Sequence, residues 1–134
     1  MAKPPLLYQL ANGDWGTVDA VVLTNGNCPA RKFVFEELAR NERARALNLF
    51  QVMADQGSVP SKRLKSEEGF QAFSIEVNNR QIRFPCFQDG QRWVVTHGFI
   101  KPGAKKGRGP WPRSEIDRAN RIIAEYRSRK SSIK

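Results

Sequence analysis

The chain has 134 residues and a mass of 15.2 kDa, enough for one domain with short extensions, and its 40% hydrophobic and 27% charged residues permit a folded core and exclude wholesale disorder. No apolar run approaches the ~18 residues of a membrane-spanning helix, the opening MAKPPLLYQL is too short in apolar residues for a secretory signal, and two cysteines with one histidine make neither a disulfide scaffold nor a four-ligand zinc site. The formal charge is +10 and uneven: residues 1–100 hold 12 Lys/Arg against 10 Asp/Glu, and residues 101–134 hold 11 against 3, which points to a polyanionic partner.

In chain order, residues 1–17 read as an N-terminal extension in which Leu6, Leu7 and Leu10 suit a short strand before the turn signal Asn12-Gly13. Val18 to Leu23 is β-branched and apolar and reads as a strand. Asn27 offers a cap for a helix over 29–39, with Pro29 in its first turn and Ala30, Phe33, Val34 and Leu38 on one stripe. Asn41 offers a second cap, for a helix over 42–56 with Leu47, Phe50 and Ala54 on a face and Gly57 as its terminator. Two helices so close in sequence predict an antiparallel hairpin.

After the basic link Lys62-Arg63-Leu64-Lys65 the hydrophobic period changes to two. Phe73, Ile75 and Val77, the turn Asn78-Asn79, then Ile82, Phe84 and Cys86, the turn Asp89-Gly90, and Trp93 to Ile100 predict a three-stranded meander. Pro85 predicts a bulge in the second strand, or an N–H position that faces no partner. Residues 101–112 hold three Gly and three Pro and read as a loop. Ser114 to Asp117 resembles a capping box, and a helix to about Arg129 follows, with Ile116, Ala119, Ile122, Ile123 and Tyr126 on one face and Arg118, Arg121, Glu125 and Arg129 away from it. Residues 130–134 are left as a basic tail. The order β-α-α-β-β-β-α over 18–129 predicts an α+β fold with a small, mostly antiparallel sheet, a helical hairpin and a C-terminal helix.

Three segments resemble the RelE/ParE superfamily of small bacterial toxins, in particular its phage-derived HigB-like branch. They are Val21-Val22-Leu23 through Cys28-Pro29 and Phe33 to Glu36-Glu37-Leu38; Leu64-Lys65 and Ala72 to Phe87, with Ile82-Arg83-Phe84 in place of the usual aromatic-Arg-aliphatic triplet; and Val94 to Lys101 followed by Pro112 through Glu115-Ile116 to Ala119. The run His97-Gly98-Phe99-Ile100-Lys101, then a basic loop and Pro-x-x-Glu-Ile, is the most specific part. Where the branch usually carries Glu-Leu-Arg, this chain has Ser74-Ile75-Glu76, and its basic loop is longer and contains Gly107-Arg108-Gly109.

The resemblance implies a RelE-like fold and a cytoplasmic toxin that cleaves mRNA, in many relatives at the ribosome, and that is neutralised by a helix-turn-helix antitoxin. ParE-type relatives act instead on DNA gyrase, and a relative that binds nucleic acid or protein without cleaving is the alternative function. The implied reaction is attack of a ribose 2′-OH on its own phosphate, which calls on no metal or cofactor. Arg83, His97 and Lys101 are the candidate catalytic residues. Arg83 suits a bidentate phosphate clamp, with a bridge to Glu76 as its structural alternative. His97 titrates near neutrality when unperturbed and suits an acid or base, with burial in a central strand as its alternative. Lys62, Arg63, Lys65, Arg80, Lys105, Lys106, Arg108 and Trp111 are candidate nucleic-acid contacts. Trp93, Tyr126, Cys28 and Cys86 read as packing residues.

Overall fold

The computed structural model describes residues 4–58, 64–67, 69–100 and 112–132. Its elements are β1 (Leu7–Asn12), β2 (Thr17–Val21), α1 (Pro29–Lys32) running into a π turn (Phe33–Glu37), α2 (Arg40–Gln56), β3 (Leu64–Glu67), β4 (Phe70–Val77), β5 (Arg80–Gln88), β6 (Arg92–Val95), β7 (Phe99–Ile100) and α3 (Arg113–Ser132). The fold is α+β. One sheet runs β1-β2-β6-β5-β4-β3, with β7 also on β5; every pairing is antiparallel except β2 with β6.

Side-chain alternation divides the core into two layers. On one face Val18, Ala20, Phe73, Ile75, Ile82, Phe84, Cys86, Trp93 and Val95 pack against Phe33 and Val34 of the π turn and Phe50 and Met53 of α2. Phe50 meets Phe73 and Phe84 edge-on, at centroid distances of 5.6 and 5.1 Å. On the other face Val21, Phe70, Ala72, Phe87, Val94 and Phe99 pack against Ile116, Ala119, Ile122, Ile123 and Tyr126 of α3, the stripe read from the sequence. No helix among the described residues is long and apolar enough to cross a membrane.

Several local expectations are corrected. The first helix is not regular: the Leu38 N–H reaches back to the Phe33 carbonyl at 3.1 Å, widening the turn, and the Arg43 guanidinium takes the Val34 and Phe35 carbonyls that the widening frees. Cys28, not Asn27, occupies its N-cap position. α2 begins two residues before the predicted start, with Ala39 at the cap, whose N–H donates to Glu42 Oε1 at 2.9 Å; Asn41 instead pairs with Asn78 of the β4–β5 turn. The Asn78-Asn79 turn has positive φ at both residues, the conformation that asparagine tolerates best among residues with a Cβ. β1 extends the same sheet, so the segment before residue 18 joins the fold through Leu7–Asn12. α3 continues through Ser132, so Lys130, placed in a tail by the sequence, is helical and holds Asp89 at 2.6 Å. Arg129 and Glu125 also face the body of the protein: Arg129 donates to the Val22 and Pro4 carbonyls, and Glu125 takes the Thr24 N–H and hydroxyl.

Candidate functional site

The predicted strand from Trp93 to Ile100 is interrupted at Thr96-His97-Gly98, and the interruption determines where His97 goes. Val95 pairs with Cys86 and Phe99 pairs with Arg83, so four steps along one strand match three along the other. The extra residue is a bulge opposite Pro85. Pro85 has no N–H for a regular ladder, while its carbonyl takes the Thr96 N–H, at 2.9 Å, and lies 3.2 Å from the Thr96 hydroxyl oxygen. One inserted residue exchanges the faces of everything beyond it. Trp93 and Val95 pack with the α2 layer, yet His97, at the same parity, points to the α3 layer. Arg83 alternates with Ile82 and Phe84 of the α2 layer and so shares the α3 face with His97.

His97 is 1% exposed. Its ring stacks on Phe99 at 5.8 Å, Nδ1 lies 2.9 Å from the Thr96 hydroxyl, and Nε2 lies 3.0 Å from Oε1 of Glu115 in the first turns of α3. Burial, aided by the Arg118 and Arg121 guanidinium groups, pushes the His97 pKa down to about 3. The ring is therefore neutral near pH 7. With Glu115 as the carboxylate, Nε2–H donates to it and Nδ1 accepts from Thr96. Burial holds the Glu115 carboxyl above the usual carboxylate range, opposed by Arg118. Gly98 leaves no room for a larger residue: a Cβ there would lie 2.3 Å from the Phe33 ring and 2.9 Å from that of Phe84.

Arg83 is 4% exposed, opposite Ser74 on β4 and Phe99 on β7. Glu76, the alternative partner read from the sequence, takes the Gln81 amide at 3.1 Å. Arg80 faces the α2 layer: its guanidinium binds the buried Glu42 carboxylate, with Nε 2.9 Å from Oε2. It holds the β4–β5 turn to the start of α2 rather than joining Arg83. Trp93 is core, its indole N–H donating to the Gly57 carbonyl at 3.1 Å. Lys65 lies in β3, paired in register with Ala72. Lys62, Arg63, Lys101, Lys105, Lys106, Arg108 and Trp111 lie outside the described residues; the segment that carries the last five joins Ile100, beside Arg83 and His97, to Pro112 at the start of α3.

The residues the sequence reading passed over are on the helices. Glu115, Arg118 and Arg121 form an i, i+3, i+6 stripe of α3, visible as a spacing but assigned to a cap and to solvent. Arg118 also lines a cavity of ≈ 380 Å³ between α3 and the start of α1, with Leu23, Gly26, Asn27, Cys28, Pro29, Arg31, Lys32 and Glu36. Cys28 there is half-buried, and burial raises its thiol pKa. Among the described residues no three His, Cys, Asp or Glu side chains converge as a metal site would require. Comparison of the chain with protein-family models, with curated proteins and with solved structures finds no match.

Proposed function

We propose that this chain is a cytoplasmic toxin of the RelE/ParE type, RelE-like in fold, that cleaves mRNA at the ribosome and is held inactive by a helix-turn-helix antitoxin. The observation that carries the reading is the bulge at Thr96-His97-Gly98, which brings His97 onto the face of Arg83 beneath the first turns of α3. Arg118 and Arg121 stand on those turns, and the segment with Lys101, Lys105, Lys106 and Arg108 starts and ends there. Arg83 from a strand, Arg118 and Arg121 from a helix and the lysines of the intervening sequence supply the positive charge that a phosphodiester chain calls for.

In the proposed reaction the ribose 2′-oxygen bonds to the adjacent phosphorus as the P–O5′ bond breaks. The 2′ proton passes to solvent, and the 5′-oxygen leaves with a proton from Lys101. The products are a 2′,3′-cyclic phosphate and a 5′-hydroxyl. Arg83 stabilises the charge that builds on the phosphorane oxygens. His97, neutral and buried, serves as a positioning residue that fixes α3 through Glu115. Burial favours a second reading, binding without cleavage, because it withdraws both the one imidazole and, at 4% exposure, the Arg83 guanidinium from substrate.

Induced expression in a bacterial host separates the two. Cleavage predicts growth arrest and new mRNA 5′ ends within translated frames. Arrest with intact transcripts selects the binding reading, which includes action on gyrase.

A further inference from the structure

The cavity between α1 and α3 gathers three cationic side chains from two segments far apart in sequence: Arg31 and Lys32 at the end of α1, and Arg118 on α3. Among the described residues Arg31 and Lys32 face no carboxylate at ion-pair distance, and Arg118 acts on Glu115 electrostatically without a close ion pair. Arg31 lies over the Tyr8 ring at 4.7 Å, and Glu36 lines the cavity without pairing to any of them. Arg80, Arg92, Arg113 and Lys130 face carboxylates, and Arg43 and Arg129 hold backbone carbonyls, so what distinguishes the cavity is that it gathers three cations around one concave space. The larger cavity at the far end of α3, ≈ 580 Å³, is less positive: its Lys130 is neutralised by Asp89, which leaves Arg127 as its one further cation. Three cations against the single Glu36 carboxylate leave the concave space net positive, which favours the entry of an anion.

We propose that the α1–α3 cavity is a binding subsite for one nucleotide unit, its phosphate held by Arg31, Lys32 and Arg118. A volume of ≈ 380 Å³ falls within the usual range for small-ligand pockets and accommodates a phosphate with one nucleoside. Three donors of different reach suit a tetrahedral oxyanion. Glu36 on the rim supplies an acceptor for an amino or hydroxyl group of the nucleoside. Arg118 stands close enough to Glu115 and His97 to act electrostatically on both, so the subsite adjoins the Arg83 face. The nucleotide comes either from an RNA strand that continues past that face, a source that rests on the function proposed above, or from solution as a free nucleotide.

Cys28 lines the cavity half-buried, whereas Cys86 is fully buried in the α2 layer, which gives a direct readout. The intact protein is alkylated with N-ethylmaleimide, and modification of Cys28 is followed by peptide mass spectrometry. The probes are adenosine 5′-monophosphate, adenosine and a single-stranded RNA decamer. Occupancy slows Cys28 modification at least tenfold with the monophosphate or the decamer and leaves it unchanged with adenosine. Protection by the monophosphate alone establishes the subsite but assigns it to free nucleotide; protection by the decamer assigns it to RNA. The double variant Arg31→Ala/Lys32→Ala, checked for folding by circular dichroism, abolishes protection and lowers the log–log salt slope of decamer binding by about 1.4 for two lost contacts. Equal Cys28 rates with and without every probe overturn the subsite. Cleavage of mRNA by the wild-type chain is scored separately, so that result leaves the proposed function standing.

Discussion

His97 and Glu115 join the bulged strand to the helix above it: Nε2 and Oε1 are 3.0 Å apart, and the imidazole is sealed from water. The arrangement makes stability depend on acid in a defined direction. The unfolded chain protonates His97 near 6.5, whereas the folded chain does so only at about 3. The stability associated with His97 is therefore complete above pH 6.5 and is lost as pH falls towards 3, at up to about 1.4 kcal/mol per pH unit. Glu115, held above 4.5, acts in the opposite sense: its contribution is present below 4.5 and lost as pH rises through its folded value. Urea midpoints measured from pH 7 to pH 4 should fall more steeply for the wild type than for His97→Gln. Parallel curves would refute a buried neutral His97.

Gly98→Ala should destabilise the fold by about 1–3 kcal/mol, because its methyl group would overlap the rings of Phe33 and Phe84. Both rings belong to the packed α2 layer and have little room to retreat. Thermal unfolding of the variant checks this; an unchanged midpoint would mean that the bulge relaxes freely.

Arg80→Ala should cost about 1–3 kcal/mol by leaving the buried Glu42 carboxylate with little beyond the Ala39 amide. Adding Glu42→Gln should restore part of the loss, since the remaining group is then uncharged. Decamer affinity should change little in either protein, which distinguishes Arg80 as a structural tie from Arg80 as a nucleic-acid contact.

The α3 stripe and the β4–β5 hairpin were legible because period and turn chemistry agree there: Ile116 to Tyr126 recur at helical spacing, and Asn78-Asn79 tolerates the positive φ of a two-residue hairpin turn. Pro85 announced an irregularity, but not that the extra residue would fall on the partner strand. Reading Trp93 to Ile100 as one strand leaves His97 on the face of Trp93, and only the register shows the exchange. The partners of Glu115 and Arg80 were hidden for another reason. Each is made between elements distant in sequence, where no local pattern marks the contact.

Glu76→Arg replaces an exposed acidic residue, whose contact is the Gln81 amide, with a cation two positions along β4 from the residue opposite Arg83. Stability should stay within about 0.5 kcal/mol, as for most surface changes. Affinity for single-stranded RNA should rise several-fold, with a steeper salt dependence, and toxicity on induction should increase. Unchanged binding in filter assays would separate this edge of the sheet from the RNA path.

The chemistry of the cut ends tests the central claim most directly. Purified protein is added to ribosomes programmed with a labelled mRNA, and the products are analysed for their termini. Attack by the 2′-OH yields fragments with a 5′-hydroxyl and a 2′,3′-cyclic phosphate, formed about 10²–10³-fold more slowly by Arg83→Ala. Intact mRNA under the same conditions, or fragments with 5′-phosphate ends, would contradict it.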